Sequence, residues 1–263
     1  MVSARATSPT RFSHARRRRP TTLYVVVAAA AIASPFEGRS GPWEVGGTGI
    51  DKAGKFKVEA ALKRTRTQDV WVRPGIGIAL PWTDHMSYEF SLGHGVVKDA
   101  DGTRRSGTRD FDAKLKWQLQ EETEDRLAWM FEPKLSLPTG DRGAGIGGER
   151  TALELPLRAG RSVGKLYFTG ELRYTHIFES GYDRLAGYGG LVEYFPNPRW
   201  VVGVDLITDM PLDDHGRYHL RSNLAGKWRP NTRFELQALL GRSIENRRGD
   251  PVTSAKLVAE YKF

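Results

Sequence analysis

The chain of 263 residues contains no cysteine, and no apolar run after residue 33 is long enough to form a membrane-spanning helix. The first absence excludes disulfides, thiolate metal sites and a lipid anchor on cysteine. The second excludes a helical membrane protein, because a span takes about 20 apolar residues. Helical periodicity is almost absent as well, and apolar residues recur at every second position instead. This period predicts β-strands.

Residues 1–33 have the layout of a secretory signal peptide. Arginines as far as Arg19 form a positive region, and an eleven-residue apolar core from Leu23 to Ala33 ends in small residues. We therefore expect export and removal of residues 1–33. Removing their six arginines leaves 34 basic against 31 acidic residues, so the net charge falls from +9 to +3. The main argument for a nucleic-acid partner is thereby lost.

Residues 54–263 contain about twelve alternating segments, each near the roughly 9–11 residues that a tilted strand needs to cross a bilayer. The clearest lies near 109–120, where apolar residues from Phe111 to Leu119 alternate with polar ones from Asp112 to Gln120. We predict an all-β fold, a closed antiparallel outer-membrane barrel of about twelve strands in contact with lipid. A soluble β-sandwich also has alternating strands, but it rarely needs charges along the second face of nearly every strand.

The connections between segments agree with a barrel. Barrels of this type have short periplasmic turns and longer extracellular loops. The connections 81–84, 121–125, 159–163, 196–198 and 230–231 are compact, whereas 98–108, 139–149 and 210–216 are mostly longer. The aromatic residues Trp82, Phe195, Trp200 and Trp228 lie beside the short turns, where we expect an aromatic girdle.

The polar face of the segments is expected to line the lumen. One interpretation is that its charges pair across strands and fill a narrow interior; the other is a charged constriction that selects solutes. Twelve strands lie between filled eight-stranded barrels and open sixteen-stranded porins, so the strand count does not decide. The predicted lumen residues are Arg73, Lys114, Lys116, Glu132, Lys134, Glu154, Arg158, Glu171, Arg173, Glu193, Asp205, Asp209, Arg221 and Lys227.

Both ends of the predicted mature chain carry further expectations. Residues 34–53 lack clear alternation, and we leave open a flexible lead-in, a lumen plug or an extension of the first strand. At the other end, Tyr261 and Phe263 have the arrangement of the signal by which bacterial barrels are recognised for assembly: an aromatic final residue and a hydrophobic residue two before it. The barrel assembly machinery is therefore an expected partner.

Chemical motifs are few. We expect no cofactor and no metal, and we interpret the glycine-rich run Gly143–Gly148 as an external loop, since a strand and not a helix follows it. Some outer-membrane barrels are hydrolases. Two groups of residues leave a hydrolase open as an alternative to a channel or a structural barrel, although we expect no enzyme. They are Asp99 and Asp101 opposite Asp213 and His215, as in omptin proteases, and His85 with Ser87, as in a phospholipase.

The run from Phe131 to Asp141, FEPKLSLPTGD, resembles an outer-membrane family named for the MetA pathway of phenol degradation. The match lies in the turn Leu137–Asp141 and the glycine-rich loop Gly143–Gly148, with an apolar strand after it. The resemblance implies an outer-membrane barrel that transports small molecules, with a link to aromatic compounds, and it supplies no catalytic residue. We therefore predict a passive outer-membrane channel for small solutes, with aromatic or hydrophobic compounds as candidate solutes.

Overall fold

The computed structural model describes residues 41–148, 150–179 and 184–263. The predicted signal peptide and residues 34–40 lie outside the described residues. In the described part, no helix is long and apolar enough to cross a membrane. The strands are β1 (Lys55–Arg64), β2 (Gln68–Thr83), β3 (Met86–Asp99), β4 (Arg104–Thr108), β5 (Phe111–Gln120), β6 (Ala128–Phe131), β7 (Lys134–Leu137), β8 (Ala152–Val163), β9 (Leu166–Ile177), β10 (Leu185–Asn197), β11 (Trp200–Pro211), β12 (His219–Trp228), β13 (Phe234–Asn246) and β14 (Thr253–Lys262).

These fourteen strands fill twelve strand positions, here called staves, of one closed antiparallel barrel. Strands β4 and β5 both pair with β3 and make one interrupted stave, and β6 and β7 both pair with β5 and β8 and make another. The barrel closes where β1 pairs with β14 from Lys55 opposite Lys262 to Arg64 opposite Thr253. The predicted fold class and strand number are confirmed.

Alternation places apolar side chains on the outside of the wall and polar ones inside. In β13, Leu236, Leu240 and Ile244 are exposed, whereas Glu235 and Gln237 between and beside them are buried. Exposed leucines recur in the same way on the other strands, among them Leu172 and Leu257. An apolar belt of this extent is costly in water and is expected where lipid surrounds the wall.

The two ends of the barrel differ in their connections. At the short-turn end, residues 84–85, 164–165 and 198–199 join neighbouring strands, and both β1 and β14 have their outer termini there. At the long-loop end, residues 138–151 and 212–218 form longer connections, although 65–67 is short. The expected loop over 98–108 is wrong: β3 and β4 continue as a hairpin, and only residues 100–103 form the turn, with Gly102 at φ 90°.

Arg73 is exposed, so its predicted place in the lumen is wrong. The register of β2 shifts by one residue between Val72 and Gly75, opposite Glu59 and Ala61 of β1. An extra residue in one strand reverses the alternation beyond it. Val72 consequently turns inward.

The exposed guanidinium of Arg73 lies 5.3 Å from the ring centroid of Trp71, a cation–π contact on the outside of the wall. The expected place of Phe195 in the outer girdle is also wrong, because Phe195 lies two residues after the buried Glu193 and is on the same face of β10. Phe195 is half-buried and packs against the inner apolar cluster, not in an outer girdle. Trp82, Trp200 and Trp228 are exposed near the short-turn end, where Trp200 stacks on Trp228 with ring centroids 5.9 Å apart.

We expect a depth-dependent cost for charge on the outer face. Leu240 lies at the middle of β13 and is 66% exposed. The substitution Leu240→Arg should lower the unfolding free energy of the protein by about 2–4 kcal/mol, because the guanidinium enters hydrocarbon. Ile244, 62% exposed but near the strand end, is the matched control, and Ile244→Arg should cost about 0–1 kcal/mol. Reversible denaturant unfolding in lipid vesicles measures both, and equal costs would contradict the assigned membrane span.

Candidate functional site in the barrel interior

The structure places thirteen of the fourteen predicted lumen residues on the inner face of the wall. Asp209 and Lys227 are half-buried, and the other eleven are buried. The residues are Lys114, Lys116, Glu132, Lys134, Glu154, Arg158, Glu171, Arg173, Glu193, Asp205, Asp209, Arg221 and Lys227.

Further ionisable side chains face the same interior but were not included in the predicted set. All follow the alternation of their strands, so the signal that would have found them was present in the sequence. The buried ones are Lys57, Lys63, Glu89, Asp112, Glu235, Lys256 and Glu260.

The interior charges pair across neighbouring strands. Arg158 of β8 lies 3.0 Å from Glu132 and 2.7 Å from Glu171 of β9. Arg173 also binds Glu171 through its guanidinium, and it lies 3.7 Å from Glu154. These contacts make a continuous band of alternating charge, and removing one partner would leave another buried charge uncompensated.

A second group of charges surrounds Glu89 of β3. Its carboxylate lies 2.7 Å from the Nζ of Lys57, 3.1 Å from that of Lys114 and 3.8 Å from that of Lys116. One carboxylate therefore forms ion pairs with three lysines from two strands. Lys57 also lies 3.9 Å from Glu260 of β14.

Residues 41–53, here called the inner segment, lie inside the barrel. Trp43 and Val45 are buried against inner-face side chains of four strands, and the Nζ of Lys227 lies 4.7 Å from the ring centroid of Trp43. The wall residues of this apolar cluster are Leu191, Val201, Ile207, Ala225 and Leu239.

Polar contacts fix the first part of the inner segment. The carboxylate of Asp205 accepts hydrogen bonds from the backbone N–H groups of Glu44, at 2.7 Å, and Val45, at 3.1 Å. The side chain of Glu44 forms an ion pair with Arg221, whose Nε lies 2.9 Å from the nearer oxygen. Gly46 passes so close to Arg158 that a Cβ there would lie 2.6 Å from the guanidinium carbon.

Other contacts fix the second part. The carbonyl of Thr48 accepts a hydrogen bond from Nε2 of Gln118 at 3.1 Å. Asp51 pairs with Lys116 and with Lys55, and its distance to Lys55 is 2.5 Å. Burial alone would raise the pKa of Asp51, but Lys116 and Lys55 outweigh it and hold that pKa well below its usual range. Asp51 is therefore ionised at every pH near neutrality.

Residues 138–148, between β7 and β8, fold over part of the mouth at the long-loop end. Ile146 and Ala144 are buried against Val97 and Val70 on the inner wall of β2 and β3. Asp110 fixes both ends of the loop, since it accepts hydrogen bonds from the N–H groups of Gly140 at 2.9 Å and Gly148 at 2.6 Å. The run Gly143–Gly148, which we expected as an external loop, thus folds inward.

Of the candidate protease residues, two make contacts at a strand end or turn, and the other two are exposed in a connection. Asp99 ends β3 and accepts hydrogen bonds from Arg105, at 2.7 Å, and Gln68, at 3.0 Å. Asp101 accepts one from the N–H of Thr103 at 2.8 Å and caps the turn. Asp213 and His215 are exposed in the 212–218 connection.

The candidate phospholipase pair is divided between two environments. His85 is exposed at the short-turn end, and Ser87 is fully buried inside. No cluster of metal-ligating side chains occurs in residues 41–148, 150–179 and 184–263.

No protein-family model and no curated protein matches the chain. Among solved structures, the COG4313 outer membrane channel from Pseudomonas putida F1 is similar, with a TM-score of 0.61, 18% identity, and 80% of this chain and 95% of that chain covered. The NanC porin has a TM-score of 0.56 at 9% identity, covering 79% of this chain and 100% of that one.

The translocator domain of the autotransporter NalP from Neisseria meningitidis has a TM-score of 0.53 at 11% identity, covering 81% of this chain and 90% of that one. At these identities the likeness concerns the fold alone. The fold is that of an outer-membrane β-barrel. The MetA naming stays a prediction, since no family model supports it.

We expect the charge band around Arg158 to be a large contributor to stability. Arg158→Ala should lower the unfolding free energy by about 3–5 kcal/mol, because Glu132 stays buried without its partner at 3.0 Å. Arg64→Ala is the control: Arg64 also bonds a carboxylate, at 2.8 Å, but its side chain is 58% exposed, so its removal should change the unfolding free energy little. Denaturant unfolding distinguishes the two, and similar small losses would show that the interior pairs are solvated.

Proposed function

We propose that the protein is an outer-membrane channel for the passive passage of small solutes. The observation that carries the proposal is an interior occupied by a segment that belongs to no stave of the wall. Among the described residues, no wall strand pairs with the inner segment. Wall side chains anchor it, and the carboxylate of Asp205 accepts hydrogen bonds from its backbone N–H groups. The segment can leave without breaking the barrel's own hydrogen-bond ladder, and its departure opens a path.

The composition of the interior favours polar and charged solutes over apolar ones. Its apolar wall residues lie mainly in two clusters, one against Trp43 and Val45 and the other against Ile146. The remaining inner face carries paired charges. The link to aromatic or hydrophobic solutes, which rests on the resemblance, stays a prediction.

The outer surface supports an outer-membrane location, to which we assign the exported chain. The apolar belt fits lipid, and exposed tryptophans at the short-turn end fit the interface with the periplasm. Tyr261 packs on Phe234 with ring centroids 5.0 Å apart, and Phe263 is exposed next to it. This exposed aromatic terminus is available to the assembly machinery as the proposed recognition signal.

Current across a planar bilayer tests the channel. The full chain, purified from outer membranes, should give stepwise conductance, and Lys134→Met with Glu154→Gln should change its size because this pair, 3.2 Å apart, lies on the inner face. The control is Arg247→Met with Glu245→Gln, an exposed pair 2.6 Å apart, which should leave the steps unchanged. If the inserted protein gave no conductance steps at any voltage, the proposed channel function would be wrong.

The inner segment should limit the current. Trp43→Ala removes its buried anchor against the β10–β13 wall, so we expect more frequent openings and a larger mean conductance. Trp82→Ala removes an indole of the same size that is exposed on the outer face, and it should leave the openings unchanged. The two variants are compared by single-channel recording, and identical traces would show that the segment does not occlude the path.

A further inference from the structure

The inner segment carries two carboxylates, and basic side chains of the barrel bind both. Glu44 is buried at Arg221, and Asp51 is buried at Lys116. The lysine of the same segment, Lys52, is exposed. The barrel interior thus takes in the acidic groups of the segment and leaves its basic group outside.

The position at Arg221 has the geometry of a carboxylate-recognition site. The Nε of Arg221 lies 3.1 Å from one oxygen of Glu44 and 2.9 Å from the other, and Nη2 donates to the same carboxylate. Wall residues hold the rest of the guanidinium: Asp209 lies 2.6 Å from Nη2, and Nδ1 of His219 lies 3.2 Å from Nη1. A planar guanidinium fork matches a carboxylate, so Arg221 suits this ligand. Its contacts with the wall residues preorganise the site.

Without Asp51, the position at Lys116 would have more basic than acidic side chains. Asp51 bonds both Lys116 and Lys55. Glu89 of the wall is 3.8 Å from Lys116, a longer contact than those it makes with two other lysines. These are Lys57, at 2.7 Å, and Lys114, at 3.1 Å.

Departure of the inner segment would therefore leave cationic positions without their carboxylates. Near Lys116, the remaining wall carboxylates would be Glu89, Glu260 and Glu132. They would face four lysines, Lys55, Lys57, Lys114 and Lys116. At Arg221, the carboxylate of Asp209 would remain, 2.6 Å from the guanidinium. Leaving a buried cation without a partner is costly, so an arriving anion lowers the free energy of the open state.

Resting on the proposed channel function, we propose that Glu44 and Asp51 occupy carboxylate-binding positions of the channel. A small solute that carries carboxylates takes these positions when the inner segment leaves. The segment acts as an internal competitor for acidic solutes. Arg221 recognises one carboxylate through its fork, and Lys116 with Lys55 attracts a second negative charge.

The test uses the full chain in planar bilayers, with succinate as the acidic probe and succinamide as its neutral counterpart at equal ionic strength. Glu44→Gln with Asp51→Asn removes the internal carboxylates and should shift the reversal potential toward anion selectivity. Succinate should then block the current, and succinamide should not. The control, Asp69→Asn with Glu245→Gln, removes the same charge from exposed ion pairs and should behave as the unaltered protein.

A third substitution locates the site. Adding Arg221→Lys to the Glu44→Gln, Asp51→Asn protein keeps the positive charge but removes the fork, and it should weaken succinate block by about tenfold, or about 1.4 kcal/mol. Equal block by succinate and succinamide, or block that Arg221→Lys leaves unchanged, would overturn the inference. In either case the stepwise currents themselves persist, so the channel function survives. Absence of currents from every inserted variant would instead overturn the channel function on which the inference rests.

Discussion

The structure depends on one constraint: a chain in hydrocarbon must satisfy its backbone hydrogen bonds from within. The pairing of β1 with β14 removes the last free edge of the sheet and so meets that constraint. Closure at twelve staves also fixes the interior volume, which the wall side chains alone do not fill. The inner segment occupies that space, and its Trp43 and Val45 cover the apolar residues that the wall turns inward.

Charge inside the barrel follows from the same closure. Strands that show lipid one face must put their polar residues on the other, where the surroundings are poorer in water and ions interact strongly. The barrel responds by pairing each charge with partners on neighbouring strands, as Arg158 does with Glu132 and Glu171. The two interpretations of the lumen are thus compatible: the charges are paired, and the inner segment's Glu44 and Asp51 belong to the pairing.

The period of two along each strand was enough to predict the barrel, its strand number and the inward side of most charged residues. It failed at Arg73, because a single extra residue at a bulge reverses the alternation and no residue type marks the position. It gave no account of which charges pair, since Glu89 serves lysines from two different strands. The inner segment has no period at all, so its place in the lumen depends on contacts between residues as far apart as Glu44 and Arg221.

Gly54 is the point where the inner segment joins the wall. Its carbonyl accepts a hydrogen bond from the N–H of Phe263 at 2.9 Å, and a Cβ there would lie 2.5 Å from the Phe263 ring. This joint lies at the short-turn end, so the segment is tethered on the periplasmic side. The segment that fills the lumen and the strand that closes the barrel thus meet at one glycine. A larger side chain at residue 54 would disturb the barrel seam and the position of the segment together.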